Sequence, residues 1–290
     1  MTRNPAAQTA FGPMLLAAVE QNETAEHRLV DDDLADLFLP APLRWLVSAT
    51  RYAPLRRALI KVSEWSGPGL WVNLCCRKRF VGDKLSEALD NIDAVVILGA
   101  GFDTRAYRLT RQVRIPVFEA DLPVNIARKA KTVRRVLGEL PLSVRLVAVD
   151  FEHDDLLTAL AEHGYLTDYR VFFICEGVTQ YLTEDAVRRT FEGLRAAAPG
   201  SRIVFTYVRR DFIDGTNRYG TRTLYRSVRR RRQLWHFGLQ PDDVAGFLSE
   251  YGWRLVDQAG PDELVQRYVE HTGRKLGASQ LEWSAYAEKS

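Results

Sequence analysis

From residue 93 onward the chain alternates between short continuous apolar runs and longer stretches with apolar residues at helical spacing. The runs over 93–99, 115–121, 144–150, 169–176 and 201–208 are rich in Val, Ile and Phe on successive positions rather than alternate ones. A strand covered on both faces reads this way. Between them, 124–137, 154–163 and 183–197 read as helices, the last opened by Thr183 ahead of Glu184 and Asp185. A helix near 241–251, a strand near 253–256, a helix near 261–270 and a strand near 281–287 continue the alternation. The pattern predicts an α/β fold with a parallel, doubly wound sheet and helices on both faces.

Two regions break the rhythm. Residues 1–90 read as helical and irregular, cut by Pro40, Pro42, Pro54 and Pro68, with an amphipathic helix over 77–89. Residues 209–240 fit neither strand nor helix period and are expected to form a lid inserted in a sheet domain spanning 91–290.

Charge sharpens this picture. Lys plus Arg is 40 and Asp plus Glu is 37, a net +3, too balanced for a dedicated nucleic-acid binder. The average hides seven acids against one arginine over 20–36, and nine arginines against two aspartates over 209–240. The two patches either pair with each other or frame a pocket mouth. A chain 46% hydrophobic and 27% charged is not disordered. Cys75, Cys76 and Cys175 form no CxxC pair, so neither a disulfide framework nor a metal site is expected. No apolar run reaches about 18 residues, so no membrane span is expected. The apolar patch at 14–19 runs into acid rather than a cleavage site, and a cytoplasmic protein is expected.

In such sheets, ligands sit beyond the carboxyl ends of the strands. Here three strands end in acid: Glu119 with Asp121, Asp150, and Glu176. The first strand ends in Gly99-Ala-Gly101-Phe-Asp103-Thr-Arg105, where two glycines permit a tight turn and close ligand approach. A dinucleotide fits poorly. The third glycine of GxGxxG would fall at Thr104, and Asp103 would bring negative charge to a pyrophosphate. S-adenosylmethionine, with a cationic amine and sulfonium, suits acids better, and Asp121 is placed to accept from its two ribose hydroxyls.

These residues resemble the leucine carboxyl methyltransferase family, in particular its bacterial S-adenosylmethionine-dependent branch. Val95 to Leu109 resembles the family's nucleotide-loop motif, Phe118 to Pro123 its second motif, and Val149-Asp150-Phe151 its adenine-side motif. Cys175-Glu-Gly-Val-Thr-Gln-Tyr-Leu182 is similar to its Glu-Gly-…-Tyr-Leu motif, and Arg77 to Asp83 to its arginine-bearing helix. Phe237-Gly-Leu239, Gly252-Trp253 and Tyr286-Ala-Glu288 also fit. The likeness covers roughly 75–290, and the first 70 residues match only loosely.

The resemblance implies a seven-stranded, Rossmann-like class I methyltransferase sheet with a helical N-terminal segment and lid. It implies S-adenosyl-L-methionine as cofactor and no metal. Gly99 and Gly101 would pass beneath its methionine part, near Asp103. Asp121 would hold the ribose with Glu119 beside it, and Asp150 and Phe151 would meet the adenine. Glu176 would face the amino-acid end, and Arg77 would pair with the methionine carboxylate. Where the bacterial branch usually has an apolar pair after Glu176-Gly177, this chain has Val178-Thr179-Gln180, side chains that would make the acceptor pocket more polar.

The partner implied is a small-molecule methyl acceptor of specialised metabolism, with no nucleic acid and no membrane. A carboxylate or hydroxyl oxygen is the leading nucleophile, and carbon or nitrogen of an aromatic such as an indole is the alternative. A carboxylate is already ionised and needs orientation only, whereas a phenol or amine profits from a base. His236 in the insertion is a candidate base, as is His153 beside Asp150. Tyr181 and Tyr207 would either line the pocket or pack in the core. A non-catalytic binder of adenosine ligands would keep the same loop without turnover.

Overall fold

The first strand, β1 (Ala94–Leu98), shows how the sheet is held: all five residues are buried, and alternate ones point to opposite faces. Val95 and Ile97 join one apolar cluster, and Ala94, Val96 and Leu98 the other. Each such side chain contributes about 1.5–3 kcal/mol by leaving water. The computed structural model describes residues 11–221, 224–226 and 234–290.

β1 is followed by β2 (Val117–Asp121), β3 (Val144–Ala148), β4 (Val171–Cys175), β5 (Arg202–Val208), β6 (Trp253–Ala259) and β7 (Glu282–Lys289). They form one seven-stranded sheet in the order β3-β2-β1-β4-β5-β7-β6. β1 pairs in parallel with β2 and β4, and the order reverses there, opening a crevice at the strand ends. The sheet departs from an all-parallel one at β7, which lies antiparallel between β5 and β6. Apolar runs record burial, not direction, so this reversal has no mark in the sequence.

Among the described residues, five α-helices precede the sheet: α1 (Phe11–Glu20), α2 (Ala35–Phe38), α3 (Ala41–Ala49), α4 (Ala53–Ser66) and α5 (Leu70–Ala88). α5 starts seven residues before the helix expected from 77, because its first turns bury Trp71, Val72, Cys75 and Cys76 and show no clean polar face. Next come α6 (Arg105–Leu109), α7 (Pro123–Leu137), α8 (Leu156–Ala161), α9 (Glu184–Leu194), α10 (Arg210–Ile213), α11 (Val244–Ser249) and α12 (Pro261–Tyr268). Thr183 caps α9 by accepting from the Ala186 N–H. α5, α6, α7 and α12 cover one face of the sheet, and α8, α9 and α11 the other.

Part of the insertion belongs to the core. Phe237 and Leu239 are buried in the core, and Leu239 bridges to Arg209 in parallel. The run Arg229 to Arg232 lies outside the described residues. The acidic stretch pairs elsewhere: Glu20 with Arg274, Glu23 with Arg56, Asp32 with Lys78, and Asp33 with Arg111. It fastens the N-terminal helices to the sheet domain. No helix among the described residues is long and apolar enough to cross a membrane.

Candidate active site

Beyond the ends of β1, β2 and β4 lies a cavity of about 920 Å³. Gly99 and Gly101, both at positive φ (67° and 43°), turn the chain across its floor. A Cβ on Gly99 would stand 2.2 Å from Val178 Cγ2, so only glycine fits that turn. The Gly101 N–H donates to Asp121 Oδ2 at 2.6 Å, folding the loop over the end of β2.

Asp121 Oδ1 accepts from the Leu122 N–H at 2.6 Å and from Asn125 Nδ2 at 2.8 Å. Asn125, on the first turn of α7, lines the cavity, and its Oδ1 is buried without a partner among the described residues. A carboxylate beside an orphaned amide oxygen is a set of acceptors that fits the vicinal hydroxyls of a ribose. Asp150 and Phe151 line the neighbouring stretch. Asp150 Oδ1 accepts from the Glu152 N–H at 3.0 Å, and its Oδ2 lies 3.2 Å from His153 Nδ1. His153 does not line the cavity.

An ion network borders the other end. Arg77 Nε donates to Glu176 Oε1 at 3.0 Å, and Nη1 donates to Glu282 Oε1 at 2.6 Å. Arg105 Nη2 donates to Glu176 Oε2 at 2.6 Å, and its Nη1 pairs with Asp103. Lys78 Nζ lies 3.2 Å from Asp32 and 3.4 Å from Asp103. Arg108 Nε lies 3.5 Å from Asp32, so four cations balance the four carboxylates. The amino-acid end of S-adenosylmethionine carries an ammonium and a carboxylate, and a network of both signs offers each a partner. Burial alone would raise the Asp103 carboxyl, but Arg105 and then Lys78 hold it well below the ordinary range. Burial acts on Glu176 in the same sense, and Arg105 and Arg77 likewise hold it low. Burial works against the charge on Arg77, yet Glu282 and Glu176 raise its pKa.

Arg77 lines the cavity with two of its nitrogens already engaged by carboxylates. Its Nη2 lies on the side of Gly177, 2.9 Å from where a Cβ would stand there.

Two expected site residues are not in the cavity. Glu119 is fully buried beneath the loop, paired with Lys129 of α7 and accepting from the Tyr107 hydroxyl at 2.6 Å. Lys129 Nζ also donates to Ala100 O at 3.1 Å, so the pair braces the glycine loop from below rather than meeting a ribose. Tyr207 is wholly buried against Phe205 in the core, which raises its pKa and leaves it unsuited as a base.

Tyr181 and His236 do line the cavity. Tyr181 packs edge-on against Trp235, with ring centroids 6.2 Å apart. The His236 N–H donates to Gln180 O at 2.8 Å, and the His236 side chain is exposed at the mouth. Of the three residues after Gly177, Val178 packs over Gly99, Thr179 donates to Thr206 O at 2.8 Å, and Gln180 lines the cavity.

Sequence reasoning missed Lys78, Asn125 and Glu282 as wall residues. Asn125 stands four positions after Asp121 at a helix start, a spacing that would have found it. Glu282 gave no such signal, since it reaches Arg77 from 205 positions away.

The sheet order and the strand-end site define a class I methyltransferase fold of the S-adenosylmethionine-dependent type. Residues 10–195 match the leucine carboxyl methyltransferase family, and the chain belongs to that family. The match begins inside the segment expected to be only loosely similar. A Mycobacterium avium (strain 104) relative is 32% identical over 197 residues, covering 67% of this chain and 64% of its own. A Streptomyces avermitilis relative is 31% identical over 253 residues, covering 84% of this chain and 82% of its own. Both carry provisional names as S-adenosyl-L-methionine-dependent methyltransferases. The chain thus matches less than two thirds of the length of the M. avium relative. A Thermobifida fusca structure, provisionally named a methyltransferase, aligns with TM-score 0.55 and 16% identity, over 81% of this chain and 88% of its own. At that identity the likeness concerns the fold alone.

Proposed function

We propose that the protein is an S-adenosylmethionine-dependent methyltransferase acting on a small, largely apolar molecule of specialised metabolism through a neutral hydroxyl oxygen. The cavity carries this reading. It runs from the strand-end acids to a wall of Leu70, Leu74, Val208, Trp235 and Leu281. The cations lining it among the described residues, Arg77 and Lys78, are each paired with carboxylates. A carboxylate acceptor needs a cation to orient it, and none of these is spare.

When bound, S-adenosylmethionine supplies a methyl group on a sulfonium whose departure as a neutral thioether needs no acid. Asp121 and Asn125 would hold the ribose, and Asp150 with Phe151 the adenine. Glu176, Asp103 and Arg77 would fix the amino-acid end. The apolar wall excludes water and presents the acceptor in line, an arrangement that contributes several kcal/mol through positioning. His236 at the mouth would take the hydroxyl proton.

A second reading is favoured by the aromatic pair Tyr181 and Trp235, which suits a flat ring methylated on carbon or nitrogen, such as an indole. A product-mass screen with isotope-labelled cofactor over phenols, carboxylic acids and indoles tests both. Turnover of carboxylic acids alone would remove the hydroxyl reading.

A further inference from the structure

We infer that Gln180 is the specificity residue of the acceptor site and that it selects neutral molecules bearing an O–H or N–H over carboxylates. This rests on the methyltransferase reading above.

Gln180 is 4% exposed, lines the cavity, and its Oε1 is buried without a hydrogen-bond partner among the described residues. A buried amide oxygen left unpaired costs free energy, so such atoms ask for a partner the protein itself does not supply. Thr179, the adjacent side chain, has no such need, being bonded to Thr206 O. The wall residue Trp235 has the complementary defect: its Nε1–H, a donor, is also buried without a partner among the described residues. The two belong to one wall, because the His236 N–H is tied to Gln180 O at 2.8 Å and Trp235 packs on Tyr181.

An orphaned acceptor and an orphaned donor on residues of one cavity wall match a group that both gives and takes a hydrogen bond. A phenol or enol does so, and a ring N–H satisfies the glutamine half. A carboxylate is acceptor-only when ionised, so it would face Gln180 Oε1 with like partial charge. It would also enter a cavity already lined by Asp103, Asp121, Asp150, Glu176 and Glu282.

The test uses the full chain saturated with S-adenosylhomocysteine and titrates β-naphthol, β-naphthoate and indole calorimetrically. β-Naphthol and indole are expected to bind, and β-naphthoate at least about tenfold more weakly. Gln180→Met is expected to weaken both neutral ligands about tenfold and to level the ranking, with S-adenosylhomocysteine affinity unchanged, which shows the variant is folded. Trp235→Phe is expected to weaken β-naphthol and spare indole. β-Naphthoate binding as tightly as β-naphthol, an unchanged ranking in Gln180→Met, or no binding of either neutral probe would overturn the inference. Failure of S-adenosylhomocysteine to bind the wild-type protein would instead overturn the methyltransferase reading beneath it.

Discussion

The Thr104 hydroxyl donates a 2.6 Å hydrogen bond to Asp32, 72 positions earlier in the chain. Thr104 stands where a dinucleotide loop would place its third glycine, and Asp32 belongs to the acidic stretch of the N-terminal segment. Asp32 is fully buried and also pairs with Lys78, which reaches Asp103 in turn. The acid that makes the loop unsuited to a pyrophosphate is thereby wired to the helices that cover the cavity. Asp32→Ala leaves Lys78 with one partner and Thr104 with none. It should cost about 3–5 kcal/mol in denaturant unfolding, the range for breaking a buried ion pair. A loss below 1 kcal/mol would mean the segment is held by apolar contacts alone.

Gly99→Ala should abolish binding of S-adenosylhomocysteine, since the new methyl would stand 2.2 Å from Val178 Cγ2 at a φ of 67°. Adding Val178→Ala removes the 2.2 Å clash, with the Val178 Cβ still 3.3 Å away, but leaves the left-handed backbone, which costs about 1–2 kcal/mol for a residue with a Cβ. The double variant should therefore regain part of the affinity, not all of it. Full recovery would show that space, not conformation, requires glycine there.

Much of this was legible in the sequence because each buried strand is an unbroken apolar run and each strand-end acid follows its run directly. Asp121, Asp150 and Glu176 could be placed that way. Glu119 could not, because the i, i+2 spacing that puts it on the Asp121 face says nothing of Lys129 beneath it. Tyr207 ends an apolar run like a pocket residue, yet β7 closes over it through the Tyr207–Trp283 register, a pairing that local pattern does not contain. Gln180 was visible as a departure from the family motif. Its buried, unpaired oxygen was visible only in three dimensions.

Acid should loosen the cofactor end first. Asp103 and Glu176 both have lowered pKa values in the folded protein, through Arg105 with Lys78 and Arg105 with Arg77. Groups lowered on folding stabilise the native state above their unfolded values of about 4, and that stability is lost as pH falls through the folded values. Thermal stability and S-adenosylhomocysteine affinity should therefore carry the full contribution of this pair, with no pH dependence from it, between about pH 6 and 8, and fall below about pH 4. Arg105→Met should move that acid limb upward. A limb centred near pH 6 in the wild type would assign it to other groups.

Tyr207 and His236 separate cleanly. The Tyr207 hydroxyl is buried without a partner among the described residues and away from the cavity. Tyr207→Phe removes a buried, unpaired polar atom, so stability should hold or rise by about 1 kcal/mol and turnover should be unchanged. His236 lines the cavity and is held through its backbone rather than its ring. If a neutral hydroxyl is the acceptor, its proton must leave as the methyl arrives. His236→Ala should then lower kcat/KM by about a hundredfold or more. The loss should fall on kcat, with S-adenosylhomocysteine affinity intact, because the ring touches none of the cofactor-binding acids. A carboxylate acceptor has no proton to lose, and its turnover should survive the same substitution. Measuring both substrate classes against His236→Ala in one preparation thus reports on the nucleophile directly. Equal losses for both would leave His236 a packing residue and return the choice of base to Tyr181.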